Sequence, residues 1–173
     1  LVIHAGDSGY SSQGYAEDGF GANFGGSSSY VPSIKAFNIE RAALDWLMTM
    51  SLEKMYERFP NLRIASVENG STFLPDLFRK LPQQKNKLMG WFKEDPLEQF
   101  KEHVWINPFW EDDPSEVADY MGSDRVIFGS DWPHIEGMPT PLDYVDELSS
   151  FDEHDRKLIL HDNVLELNTP RPT

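Results

Sequence analysis

One stretch near the C-terminus, residues 125–134 with the sequence RVIFGSDWPH, most constrains how this chain can fold. Its apolar residues 126–128 predict a strand buried on both faces. Gly and Ser end that strand, Asp131 follows at its C-terminal tip, and Pro133 prevents further ladder pairing. A carboxylate at the tip of a buried parallel strand is typical of the active sites of α/β barrels. An equally weighted alternative is that Asp131 only caps the following turn.

Three further predicted strands also end in polar residues, which are His4, Glu68 and Asn107. Helical patterns separate the strands, at residues 36–59, 73–81 and 115–121, with later helices at 142–148, 153–160 and 161–167 and a polar surface segment at 82–96. Strands that alternate with helices favour a parallel sheet, whose strand tips lie on one side. Four such units make half of an eightfold barrel, and a small doubly wound sheet is the competing architecture.

The RVIFGSDWPH stretch resembles the eighth-strand segment of the amidohydrolase superfamily, more narrowly the amidohydrolase-2 group. That group includes aminocarboxymuconate-semialdehyde decarboxylase-like and resorcylate decarboxylase-like enzymes. The resemblance implies an α/β fold of the (β/α)8 TIM-barrel type. Residues 1–173 would form one domain that covers about the last four β/α units, the C-terminal half of the barrel. The HDNVLELN segment resembles the family's closing helix, where an Asn-containing segment packs under the barrel.

The resemblance also implies a site. Asp131 would be a metal ligand and catalytic residue, and His4 would match the fifth-strand metal-binding His. The chain departs from the pattern at Glu68, followed by Asn-Gly, where many of these enzymes carry a His followed by Gly. Glu68 can ligate a metal, act as a general base or cap the following helix. The predicted metal ligands are His4, Asp131 and Glu68; the catalytic residues are Asp131, Glu68 and His134; and the substrate-binding residues are Asn69, Asn107, Phe109, Trp110 and Trp132.

A segment rich in Gly and Ser, residues 7–33, follows the strand that carries His4. A loop of this length in a compact domain is usually functional or disordered. Because it would lie over the mouth of the site, we interpret it as a lid or substrate wall, with a disordered insertion as the alternative. The sequence begins inside a predicted strand. We therefore expect the N-terminal half-barrel, with the first-strand metal ligands, to lie upstream, or a homodimer to cover the exposed strand edges.

Composition narrows the classes of partner. The net charge is −14, which argues against nucleic acid and anionic membrane surfaces as partners. The chain has no Cys, so thiolate metal sites and disulfides are excluded. No apolar run approaches the length of a membrane span. We therefore expect a cytoplasmic protein with a small-molecule substrate.

The leading hypothesis is a metal-dependent amidohydrolase-2 enzyme. It would be a hydrolase or a non-oxidative decarboxylase acting on a small carboxylic acid, lactone or amide, with an aromatic acid as one candidate. Its cofactor would be one divalent metal ion, zinc by preference, with iron or manganese as alternatives. The second hypothesis is a catalytically inactive or small-molecule-binding protein on the same scaffold, without a complete metal site. A third is a sugar- or ester-binding hydrolase that uses Glu68 and Asp131 as a carboxylate pair.

Overall fold

The computed structural model describes residues 1–5, 39–109, 112–134 and 137–170. Three strands, β1 (Val2–His4), β2 (Ile64–Val67) and β3 (Val104–Asn107), form a parallel sheet in the order β1-β2-β3. The register places Val67 beside both His4 and Asn107. The carboxyl ends of the strands therefore meet at one edge. This confirms the α/β class and the parallel arrangement. The predicted lid at residues 7–33 lies outside the described residues.

The predicted fourth strand is reduced to a single bridge, in which Val126 pairs in parallel with Ile106 of β3. The Ile127 amide donates to the Ile106 carbonyl at 2.9 Å, so the segment does continue the sheet order beyond β3. The next amide, that of Phe128, faces away from β3 and donates to the Ile159 carbonyl at 3.2 Å. The expectation of a full strand here was wrong, because the next ladder bond would need an N–H from Pro108, which has none. The Ile127 carbonyl accepts the Asn107 side-chain amide instead, at 3.3 Å.

The described helices are α1 (Ile39–Leu52), α2 (Met55–Arg58), α3 (Leu74–Lys87), α4 (Pro96–His103), α5 (Pro114–Met121), α6 (Tyr144–Glu147), α7 (Glu153–Lys157) and α8 (Asn163–Asn168), with 3₁₀ turns at Ser123–Arg125 and Pro141–Asp143. The single helix predicted at 36–59 is broken at Lys54, whose φ of 56° is left-handed. The helix predicted to end at residue 81 runs on to Lys87, although the segment from residue 82 lies at the surface as predicted. Gln and Lys there are good helix formers. A π-helical turn, Leu158–Asp162, joins the last two predicted helices into one segment.

Alternation along the strands gives the sheet two apolar faces. One face, with Ile64, Val104 and Ile106, packs against the helices in the main core. The opposite face carries Ala65, Trp105 and Ile127, which pack with Val67 and with Leu167 of α8. Because the C-terminal helix covers this second face, Trp105 is fully buried although few strands are present.

Asn163, at the start of α8, ties the C-terminal segment to the chain ahead of the site. Its side-chain amide donates to the carbonyls of Ser123 at 2.8 Å and Val126 at 2.6 Å. These groups lie at the opposite end of the 126–131 segment from Asp131. The Asn-containing closing helix therefore packs against the start of the 126–131 segment, and its place under a complete barrel stays a prediction. Among the described residues no helix has the length and apolarity needed to cross a membrane.

Candidate functional site

Glu68 and Asp131 share an uncommon backbone conformation at the carboxyl edge of the sheet. Their φ angles are 56° and 55°, in the left-handed region, and Lys54 is the other described non-glycine residue with a positive φ. An L-residue with a carboxylate side chain adopts this conformation at a cost of about 1–3 kcal/mol. Such strain persists when surrounding contacts hold it and clusters at functional sites. The two carboxylates are thus aimed by the backbone as well as by the ends of their strands.

The side chains of His4, Glu68 and Asp131 form a cluster at this edge. His4 Nε2 lies 3.0 Å from Glu68 Oε2, and the Asp131 carboxyl group is near enough to Glu68 to raise its pKa. The other ring nitrogen, Nδ1 of His4, lies 2.7 Å from its neighbour's carbonyl, that of Ala5. With Nδ1–H donating to that carbonyl, Nε2 is the ring nitrogen that faces Glu68. The structure therefore brings together the three predicted metal ligands.

The loop after Asp131 closes on itself. The His134 amide donates to the Asp131 carbonyl at 2.9 Å, and its ring Nδ1 lies 4.0 Å from Asp131 Oδ1. The Met138 amide donates to Ser130 at 2.8 Å. A Cβ atom on Gly137 would lie 2.5 Å from the Asp131 carbonyl oxygen, so only glycine permits this closure. The loop holds Asp131 in place and brings His134 to its edge, where the side chain remains largely exposed.

The surroundings of Glu68 alter its protonation. Burial raises the pKa of Glu68, and the hydrogen bond and charge of Asp131 raise it further, while His4 and His134 oppose the rise. The third hypothesis, a sugar- or ester-binding hydrolase with Glu68 and Asp131 as its carboxylate pair, stays a prediction.

Comparison with known proteins decides the family. A model of the amidohydrolase family (Amidohydro_2) matches residues 1–167. This chain belongs to the amidohydrolase family. Members are typically metal-dependent hydrolases and decarboxylases. No curated protein matches the chain.

Solved structures show that this chain is similar to part of a known barrel. An amidohydrolase from Mycobacterium avium subsp. paratuberculosis K-10 is 34% identical, with a TM-score of 0.83, and the match covers 98% of this chain and 42% of that one. A 2,6-dihydroxybenzoate decarboxylase, solved with 2,6-dihydroxybenzoate, is 18% identical, with a TM-score of 0.58 and coverages of 75% and 41%. A 5-carboxyvanillate decarboxylase from Sphingomonas paucimobilis is 17% identical, with a TM-score of 0.58 and coverages of 75% and 40%. The last two show the fold alone.

The amidohydrolase chain thus spans about two fifths of the length of these relatives. Together with the parallel sheet, this confirms the expectation of a partial TIM barrel, and it confirms the family resemblance. What the complete barrels of these relatives act on is a property of those proteins.

The remaining predicted site residues surround the three contacting side chains at different depths. Asn69 and Asn107 are buried, Phe109 is half-buried, and Trp132 is exposed on the loop after Asp131. Trp110 lies outside the described residues. Asn107 supports the segment before Asp131, because its amide donates to the Ile127 carbonyl at 3.3 Å. The substrate-binding roles of these residues stay predictions.

Sequence reasoning missed two supporting groups. The Ala5 carbonyl, which orients the His4 ring, gives no sequence signal because any residue carries it. Ser66 is fully buried within β2, and its hydroxyl lies 3.2 Å from the Asn69 amide. A lone polar residue in the otherwise apolar run Ile64–Val67 was a signal that could have identified it.

The chemistry of the donor set fits a divalent cation. One imidazole nitrogen and two carboxylates converge, and these are ligand types that zinc, iron and manganese accept. Burial, and next to it the Asp131 carboxyl group, raises the pKa of Glu68, and a bound cation would favour the ionised form of Glu68. Within the described ranges, no group of three or more His, Asp or Glu side chains is already spaced to hold an ion. Small side-chain movements of His4, Glu68 and Asp131 would be needed to form the site.

Proposed function

We propose that this chain supplies part of the active site of a metal-dependent amidohydrolase, namely the part that lies at the carboxyl ends of its strands. The enzyme would hydrolyse, or decarboxylate without oxidation, a small carboxylic acid, lactone or amide. The observation that carries the proposal is the contact of His4 with Glu68 at the ends of β1 and β2, with Asp131 close enough to raise the pKa of Glu68. The family membership of the chain and the decarboxylase folds to which it is similar support it.

His4, Glu68 and Asp131 would hold the ion, and ligands from upstream residues would complete its shell. A bound divalent ion supplies Lewis acidity toward a substrate oxygen. Zinc is the first choice for a site of one imidazole and carboxylates, with iron or manganese as alternatives.

The carboxyl pair supplies proton transfer. Because burial and Asp131 raise its pKa, Glu68 can hold a proton at a higher pH than an ordinary glutamate. In hydrolysis a carboxylate of the pair would accept a proton from the attacking water. In decarboxylation the Glu68 carboxyl group would deliver a proton to the carbon that loses carbon dioxide. His134, at the edge of Asp131, is placed to exchange that proton with solvent.

Elemental analysis of the polypeptide as its natural source makes it, prepared without chelators, tests the proposal. We expect close to one equivalent of zinc, iron or manganese per protein. We also expect turnover of at least one member of a panel of aromatic acids, lactones and amides. A folded protein without metal would overturn the metalloenzyme proposal and leave the small-molecule-binding scaffold. We also propose a cytoplasmic location, which cell fractionation would test.

A further inference from the structure

Asn69 follows Glu68 directly, yet its side chain points back into the sheet and is only 5% exposed. Its amide nitrogen lies 3.2 Å from the Ile3 carbonyl, 3.0 Å from the Val67 carbonyl and 3.2 Å from the Ser66 hydroxyl. An Asn amide has two N–H groups, so three acceptors share two donors. The donor capacity of Asn69 is therefore used within the protein.

Two of these acceptors lead directly to the site. The Ile3 carbonyl belongs to the peptide unit that ends at the nitrogen of His4, and the Val67 carbonyl belongs to the one that ends at the nitrogen of Glu68. Because a peptide unit is planar, fixing its carbonyl fixes the direction in which the next residue starts. The Val67 carbonyl also accepts the Ala5 amide at 3.1 Å, so the exits of β1 and β2 meet at this oxygen.

We propose that Asn69 is a positioning residue that sets the spacing of His4 and Glu68. It links the last peptide units of the two strands and helps to hold Glu68 in its left-handed conformation. This rests on the proposed function only in so far as His4 and Glu68 serve as ligands. Both side-chain N–H groups of Asn69 are used in this role, so its predicted contact with a substrate would fall to the side-chain oxygen.

The chain offers a matched control in Asn163. It is a buried Asn, 1% exposed, whose amide also donates to two main-chain carbonyls, those of Ser123 and Val126. Its two bonds lie at the start of the 126–131 segment, away from Asp131. Truncating either Asn to Ala removes bonds to two main-chain carbonyls from a buried place, and Asn69→Ala also removes the bond to Ser66, so both variants should lose general stability. Only Asn69→Ala should disturb the His4–Glu68 pair.

The experiment compares wild type, Asn69→Ala and Asn163→Ala. Each substitution is made in the full natural polypeptide. The first readout is zinc affinity, measured by competition with a chromophoric chelator. We expect Asn69→Ala to lose about 10- to 100-fold in affinity, as changes in residues that orient ligands do, and Asn163→Ala to stay near wild type. Equal affinity in all three proteins, or an equal loss in both variants, would overturn the proposal.

The second readout needs no metal. Amide hydrogen exchange in the metal-free proteins reports Ala5, whose amide bonds to the Val67 carbonyl, and Ile127, which follows the Val126 carbonyl. We expect faster exchange at Ala5 in Asn69→Ala and faster exchange at Ile127 in Asn163→Ala. If wild type binds no zinc, the proposed function fails, and this pattern alone decides the role of Asn69. Uniform acceleration in both variants would refute it. If Asn69→Ala does not fold, Asn69→Ser, which keeps one donor, takes its place.

Discussion

Replacing Glu68 with Gln separates two effects of its carboxyl group. One is its cost to the stability of the metal-free protein, and the other is its contribution to metal binding. The raised pKa of Glu68 means that ionising this group opposes folding. Its contribution to stability is full below the ordinary glutamate pKa and is lost as the pH rises through that value to the raised one. Gln has no such loss. We therefore expect metal-free Glu68→Gln to be more stable than metal-free wild type at neutral pH.

Bound metal should make wild type more stable than Glu68→Gln, which reverses the order of stability expected without metal. At a free metal concentration 100 times the dissociation constant, binding stabilises wild type by about 2.7 kcal/mol. If the loss of one of the three contacting ligands weakens binding about 100-fold, the same metal concentration equals the new dissociation constant, and the gain falls to about 0.4 kcal/mol. The assay is urea unfolding with and without zinc. A metal-linked gain near 2.7 kcal/mol in Glu68→Gln would refute Glu68 as a ligand.

Glu40 provides the control for this experiment. Burial, with the nearby charge of Asp112, raises its pKa too, although hydrogen bonds from Thr72 and the main chain oppose the rise. Glu40 does not belong to the cluster of His4, Glu68 and Asp131 at the carboxyl edge of the sheet. Glu40→Gln should therefore remove the loss of stability that appears above about pH 4. It should keep the full metal-linked gain.

Three further predictions follow from single contacts. Asp131→Asn should abolish turnover while the protein stays folded, because Asn tolerates a left-handed φ but cannot accept the proton; full activity would remove Asp131 from the mechanism. Gly70→Ala should cost about 2 kcal/mol or more in urea unfolding, because φ is +66° and the new Cβ would lie 2.0 Å from Glu40 Oε1; an unchanged midpoint would contradict this. Tyr144→Phe should leave stability unchanged or raise it by about 1 kcal/mol, because the buried hydroxyl has no hydrogen-bond partner among the described residues, and burial raises its pKa to about 12; a clear loss in thermal unfolding would contradict this.

The part of the site that depends on strand register could be predicted from the sequence. His4, Glu68 and Asp131 each follow an apolar run, and parallel strands bring such positions to one edge. The family motif around Asp131 gave the barrel type, which local patterns alone could not separate from a doubly wound sheet.

The direction of each side chain could not be predicted, because it depends on backbone angles that the residue type disfavours. Glutamate is seldom found at positive φ, so nothing in the sequence indicates that Glu68 turns toward Asp131. The break at Lys54 could not be predicted for the same reason, since the apolar helical pattern continues across it. The inward turn of Asn69 depends on carbonyls from two strands that are distant in sequence.

The left-handed backbone at Glu68 and Asp131 also bears on how this region diverges among natural sequences. Glycine and asparagine adopt that conformation more readily than Glu or Asp, so such replacements relieve backbone strain as they remove a carboxylate. A lineage released from selection for turnover would gain stability by drifting to Gly or Asn there. Retention of acidic residues at both positions would therefore mark descendants in which the chemistry is still under selection.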